Sequence, residues 1–396
     1  MIGGPFEALP ARPALTAGPT PLPIEAADAA IGAAAVVSEI PGEALNWDLA
    51  QRVAFRVAGR EPLEDSYLAE SLAEDFDQVT RLAEGLVGEH TGLVPSSGPA
   101  RCSVIDRRAW IEANVSNFKI MMGPLAERMA SAGASIPTEG PGAWIAKFAR
   151  DGTRSVVSVE MGAVLGFVAQ RVLGQYDLFL PEEGADAVYY VGANVLSLEK
   201  KFEFIPRDFR FWIALHELTH RAQFAGVPWM RQYFVDLVEK TFSSSDPDPR
   251  HMIEALRRVV ESLIRGEDPL ADGGFAGVFA TAEQREVLRK VQSLMCLLEG
   301  HGNVVMDRLG EKYIPQSGRM SDTLRARRAS NGLQRFVFKL VGLELKIQQY
   351  ELGERFVAGV EEIAGPDAIA VAWQSPDSLP TMEEIRDPKA WLRRVA

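Results

Sequence analysis

Apolar residues recur every three or four positions over most of this chain, and that spacing predicts helices. Leu49, Val53, Ala54 and Phe55 mark one segment starting near Trp47, and Leu68, Leu72, Phe76, Val79 and Leu82 mark the next, so the first half reads as a helical layer. Residues 208–224 repeat the pattern and run into Gly226 and Pro228, residue types that follow a helix. Thr281 and Gln284 form a capping-box pair ahead of an apolar-periodic stretch reaching about Leu309, and a further long helix is expected over about 332–363. Period-two patterns are rarer. Alternation over Arg154–Met161, and the β-branched and aromatic residues of Ala187–Leu198, predict two short strands.

The breaks in these patterns organise the chain. Pro5, Pro10, Pro13, Pro19, Pro21 and Pro23 spoil helix and sheet, so residues 1–40 read as a flexible tail with one short helix near Ala29–Val37. Polar, Pro-rich residues 243–250 and Gly-rich residues 266–274 flank a helix over about 251–264, which predicts a surface insertion near 243–275. The expected division is an N-terminal helical domain over 41–200 and a domain over 201–396 that carries the chemistry. The class is mainly α with a small β element.

Composition narrows the functions. Of 396 residues, 47% are hydrophobic and 24% charged, a profile that builds a packed core. A formal charge of −12 repels phosphate backbones and no basic block offsets it, so nucleic acid is not an expected partner. Cys102 and Cys296 lie too far apart in sequence to read as a disulfide framework or a multi-cysteine metal site, which fits a reducing, cytoplasmic setting. No apolar run has the length of a membrane span, and the first residues lack the pattern of a secretory signal.

The chemistry concentrates in one helix. His216 and His220 stand four residues apart, a little more than one turn, so both imidazoles share a face from which two nitrogens can bind one ion. Glu217 is placed beside that face to take a proton from a water in an open coordination position. Two imidazoles and a carboxylate suit zinc. The bland alternative is a helix with two partly buried, hydrogen-bonded histidines.

A catalytic zinc site wants a third protein ligand, and Glu299 and His301 are the candidates. They lie about 200° apart around a helix, so both can face one ion only if the helix breaks at Gly300 and Gly302. His301 falls inside the apolar stripe of Leu294, Leu297, Leu298 and Val305, while Glu299 lies at its edge, which favours Glu299. His301 would then orient a ligand or reach the reacting carbonyl, and Asn303, one turn beyond Glu299, could orient a histidine. Tyr350, with Lys346 and Gln349, could donate to the oxyanion of a tetrahedral intermediate, although a packed or surface face is the simpler reading. Gln175, Tyr176 and Asp177 divide between a turn and a pocket role. His90 and His251 read as solvated loop positions, and Arg325, Arg327 and Arg328 as a basic face paired with nearby acids.

Several stretches together resemble the zincin-like metallopeptidase family, whose members also carry hydrolase and deazaflavin-coenzyme biosynthesis labels. They are WDLAQRVA (47–54), DRRAWIEANVSNF (106–118), RVLGQYDLFLP (171–181), DFRFWIALHELTHRAQFAGVPWMRQY (208–233), LLEGHGNVVMD (297–307) and GLELKIQQYELGERFV (342–357). The resemblance implies a zincin-like helical metallopeptidase fold, with zinc on His216, His220 and, by analogy with the branch that uses a glutamate on a later helix, Glu299. The expected activity is cleavage of an amide bond in a peptide. The alternatives are a small-amide hydrolase in coenzyme metabolism and a non-catalytic zinc protein.

Overall fold

The computed structural model describes residues 45–132, 143–177, 186–243, 282–330 and 344–396. The expected tail, the insertion with its helix and Thr281, and the start of the helix predicted from 332 lie outside these residues. Helix α1 (Trp47–Ala58) opens on Asn46, whose side chain accepts the Leu49 N–H at 3.0 Å. Its buried stripe is Ala50, Ala54 and Ala58, and α2 (Leu72–Thr91) buries Leu72, Phe76, Val79, Ala83 and Val87. Leu82, expected in that stripe, is instead exposed.

After β1 (Arg101–Ile105) come α3 (Arg107–Ala132) and α4 (Ala143–Ala169). Residues 154–161 are therefore helical, against the expected strand. Small residues decide this: a Cβ at Gly162 or Gly166 would fall 2.3 Å from Ala50 O or 2.5 Å from Ala54 O. Two stripes of small residues at a spacing of four let α1 and α4 cross almost backbone to backbone. Period-two alternation over eight residues could not reveal that contact.

Two further strands follow, β2 (Gly174–Tyr176) and β3 (Ala187–Val191), and then α5 (Gly192–Phe202). The strand expected over 187–198 thus turns into a helix at Gly192. Asn194 explains the switch: its amide donates to Ala169 O at 2.8 Å and Val172 O at 2.7 Å, and it accepts from Arg107 Nε at 2.8 Å. A strand would carry that side chain away from all three partners. The sheet order is β1-β3-β2, with β1 parallel and β2 antiparallel to β3.

The remaining elements are α6 (Pro206–Ala225), α7 (Met230–Ser243), α8 (Ala282–Tyr313), α9 (Ser317–Ser330) and α10 (Glu344–Ala364). Beyond them lie the 3-10 turn Ala368–Trp373 and the short helices α11 (Met382–Arg386) and α12 (Pro388–Val395). One apolar cluster joins α2, β3, α5, α6 and α9 to Val305, Met306 and Leu309 of α8. A second joins α7, α10 and the C-terminal turns to Leu294, Leu297 and Leu298 of the same helix. A third holds α1, α3 and α4. Helix α8 bridges the first two, and Glu299 to Gly302 fall at the seam. Among the described residues no helix is long and apolar enough to cross a membrane.

Candidate metal centre

Helix α6 begins at Pro206 after an extended Ile205, with Asp208 in its first turn, and runs unbroken through both histidines to Ala225. Its core side is Phe209, Ile213, Ala214, Leu215 and Leu218, so rotation about its axis is fixed by packing. Burying each of the larger side chains, Phe209, Ile213, Leu215 and Leu218, contributes about 1.5–3 kcal/mol. The consequence is that His216 and His220 must both face α8. Their rings meet edge to face, centroids 4.6 Å apart, with Nε2 atoms at 3.1 Å.

Glu299 completes the group. Its Oε2 lies 3.7 Å from both Nε2 atoms, and the three residues are brought together such that one donor atom from each lies within 4.8 Å of the others. His301 is not in this group. Helix α8 stays continuous through Gly300 and Gly302, so the 200° offset holds and His301 turns into the interior, 4% exposed, edge-on to Trp373 at 5.1 Å. Burial pushes its imidazole down to about 3, with the charges of His90, His220 and Arg308 acting in the same direction. It is a neutral residue at ordinary pH.

The glycines serve close approach rather than helix breaking. A Cβ on Gly300 would meet Gly353 C at 2.2 Å, so α8 and α10 cross there with their backbones in contact. A Cβ on Gly302 would stand 3.4 Å from His220 Cε1 and 3.5 Å from His216 Cε1, so this residue forms the floor under both rings.

Glu217 faces β2. A Cβ on Gly174 would lie 2.7 Å from its Oε1, and the Tyr176 backbone N–H donates to the carboxylate. Ladder bonds from Leu173 O and Asp177 N to β3 imply, by alternation, that Gly174 and Tyr176 turn their backbone groups to the side away from β3. Burial pushes the Glu217 carboxyl up to about 7, Glu299 adds to the rise, and His220 and the Tyr176 N–H oppose it. For His220, burial alone would lower the pKa, but the hydrogen bond and charge of Glu299, with Glu217 and Gln223, carry it up to about 9. In the metal-free protein a carboxylate on each side thus favours a proton, and by the same charge a cation, where the two rings meet.

Other expected residues are placed differently. Asn303 Nδ2 donates to Glu354 Oε1 at 2.8 Å, so the bond it makes ties α8 to α10, and it is Gln223 Oε1 that accepts from a site histidine, His220 Nδ1, at 2.9 Å. Tyr350 lies on α10, but its side chain is not among those described. Gln175 accepts from Trp110 Nε1 at 2.7 Å, and Asp177 accepts from Asn117 at 3.2 Å, both on the sheet face away from Glu217. Arg325 pairs with Asp307 at 2.8 Å, as the solvated-face reading expects. His90 stands in the last turn of α2 rather than in a loop.

Arg221, one position past His220, is fully buried and was not foreseen. It donates to Asp186 through Nε at 2.8 Å and to Gly98 O at 2.6 Å, and its guanidinium also reaches Glu84. Asp186 adopts φ 85° to meet it, an unusual backbone state for a side-chain-bearing residue. This clamp fixes the 92–100 connection and the start of β3 against the histidine helix. An arginine directly after the histidine pair could be flagged from sequence, but its acids lie far away along the chain.

Comparisons with known proteins bear on the family of the chain. The family model described as zincin-like metallopeptidase matches residues 45–392. A crystal structure from Chloroflexus aurantiacus, described as that of "a putative hydrolase with a novel fold", is 30% identical, covers 88% of this chain and 98% of its own, and superposes with a TM-score of 0.63. No curated protein matches significantly. The chain belongs to the zincin-like metallopeptidase family.

Proposed function

We propose that this protein is a zinc-dependent hydrolase that cleaves an amide bond of a peptide, with zinc on His216, His220 and Glu299 and Glu217 as the base. The observation that carries the reading is the donor geometry. Ligands at 2.0–2.1 Å from a tetrahedral zinc stand about 3.3 Å from one another, and the three donors here are separated by 3.1, 3.7 and 3.7 Å. Zinc would supply a water acidic enough to attack near neutral pH and would polarise the carbonyl.

The chain's own groups would manage the protons. Glu217, held by the Tyr176 N–H beside the two histidines, would accept a proton from the attacking water and return it to the leaving nitrogen. Edge strand β2 supports a peptide substrate: it offers outward backbone groups at Gly174 beside Glu217, where an extended backbone can pair. β3, the central strand with neighbours on both sides, offers no such edge.

The test compares zinc-loaded wild type with Glu217→Gln on a panel of unstructured peptides and small amides, read by mass spectrometry. Cleavage by wild type that falls about 100-fold or more in the variant, at unchanged zinc content, supports the reading. Equal cleavage by both proteins, or turnover of small amides alone, would overturn the base assignment or the peptide assignment respectively.

A further inference from the structure

We propose that Gln223 is the positioning residue of the metal centre, fixing the tautomer and ring direction of His220 and tying the histidine helix to the helix that carries Glu299. This rests on the reading that His216, His220 and Glu299 hold a metal ion. Gln223 lies one turn beyond His220 on α6 and is 0% exposed. Its side chain reaches three partners: His220 Nδ1 at 2.9 Å, Leu298 O at 3.0 Å and His301 Nδ1 at 3.0 Å.

The Leu298 carbonyl settles the direction of every bond in this chain. A carbonyl oxygen only accepts, so the nitrogen end of the Gln223 amide must face it, and the oxygen end must face His220. His220 Nδ1 therefore carries its proton and donates to Gln223 Oε1, which leaves Nε2 to point its lone pair at the site. The same Gln223 nitrogen has a second hydrogen, and His301 Nδ1 accepts it. All of the amide's strong bonding capacity within reach is used. Rotating the amide end for end would set oxygen against oxygen at Leu298, so the protein enforces one orientation.

The link also spans the two helices. Leu298 immediately precedes Glu299, so one side chain grips the ring of one metal ligand and the peptide next to another. His301, packed edge-on against Trp373, backs the far end of the link. Loss of such an outer partner weakens metal binding 10–100-fold in comparable sites.

The experiment measures zinc affinity by competition with a chelator for wild type, Gln223→Met and Gln223→Glu, alongside ring-nitrogen NMR of the metal-free proteins at about pH 10, where the His220 ring is neutral and has a tautomer to read. Five histidines keep that spectrum simple. Gln223→Met, which keeps the bulk but removes the acceptor, should bind zinc 10–100-fold more weakly and lose the fixed Nδ1–H form of His220. Gln223→Glu, which restores an acceptor, should keep that form and bind more tightly than Gln223→Met. If wild type binds zinc and Gln223→Met binds it equally well with the same tautomer, the inference is overturned while the metal reading stands. Equal weakening in both variants with an unchanged tautomer also overturns it, since Gln223 would then act through packing alone. A wild type that takes up no zinc overturns the metal reading and this inference together.

Discussion

Gly300→Ala is the substitution for which the geometry gives the sharpest expectation. Its Cβ would lie 2.2 Å from Gly353 C, 2.4 Å from Gly353 Cα and 2.6 Å from Glu354 N. Ordinary carbon contacts need about 3.5 Å, so α8 and α10 would have to separate by roughly 1 Å. The obstacle is backbone, with no flexible side chain able to move aside. Alanine gains about 1 kcal/mol over glycine in helix propensity, but overpacking a tight contact costs about 1–3 kcal/mol and more where backbone must shift. A net loss of about 2 kcal/mol is expected, read as a lower denaturant midpoint at unchanged slope. Glu299 is the preceding residue, so the same shift would displace its carboxylate relative to the two imidazoles, and zinc binding should weaken at least about 10-fold. Gly302→Ala is the control: its Cβ would meet the histidine rings at 3.4 and 3.5 Å, ordinary contact distances, and should leave metal-free stability unchanged or slightly raised. A Gly300→Ala protein with wild-type midpoint and zinc affinity would refute the idea that this glycine exists for the helix crossing.

Two further outcomes are expected. Arg221→Met should cost about 3–5 kcal/mol, because it leaves Asp186 and Glu84 without the buried guanidinium that pairs them; a urea titration showing a loss below about 1 kcal/mol would contradict the clamp. In metal-free protein, Glu217 is raised from 4.5 to about 7 and His220 from 6.5 to about 9. The folded state therefore binds these protons more tightly than the unfolded chain does. The Glu217 contribution is present below pH 4.5 and lost as pH rises through 7, on the order of 3 kcal/mol in all, and the His220 contribution is lost between 6.5 and 9. Denaturant midpoints of metal-free wild type and Glu217→Gln at several pH values check this: the wild-type advantage should shrink from pH 5 to 8, and an advantage that grows would refute the assignment.

Helix α6 was legible because its apolar spacing, its histidine pair and the glycine beyond it all agree on one element. The choice of Glu299 over His301 rested on the apolar stripe of α8 and on the resemblance, and the offset between the two residues depends on α8 staying intact through Gly300 and Gly302. Those glycines were harder to interpret, since a glycine that admits a neighbouring helix looks the same in sequence as one that ends a helix. Strand β2, only three residues long, has no period to detect, yet it supplies the Tyr176 N–H that holds Glu217. Gln223 could have been found, because a position three residues past His220 shares its face. Arg221 and its acids could not, since Glu84 and Asp186 come together only through the fold.

The central claim is tested most directly by the metal content of the purified chain, measured by elemental analysis beside His216→Ala and Glu299→Ala. The account predicts about one zinc per wild-type chain, from one site with three protein ligands, and loss of that zinc in both variants. Wild-type protein exposed to zinc that retains none, or a Glu299→Ala variant that keeps its zinc at full affinity, would contradict it.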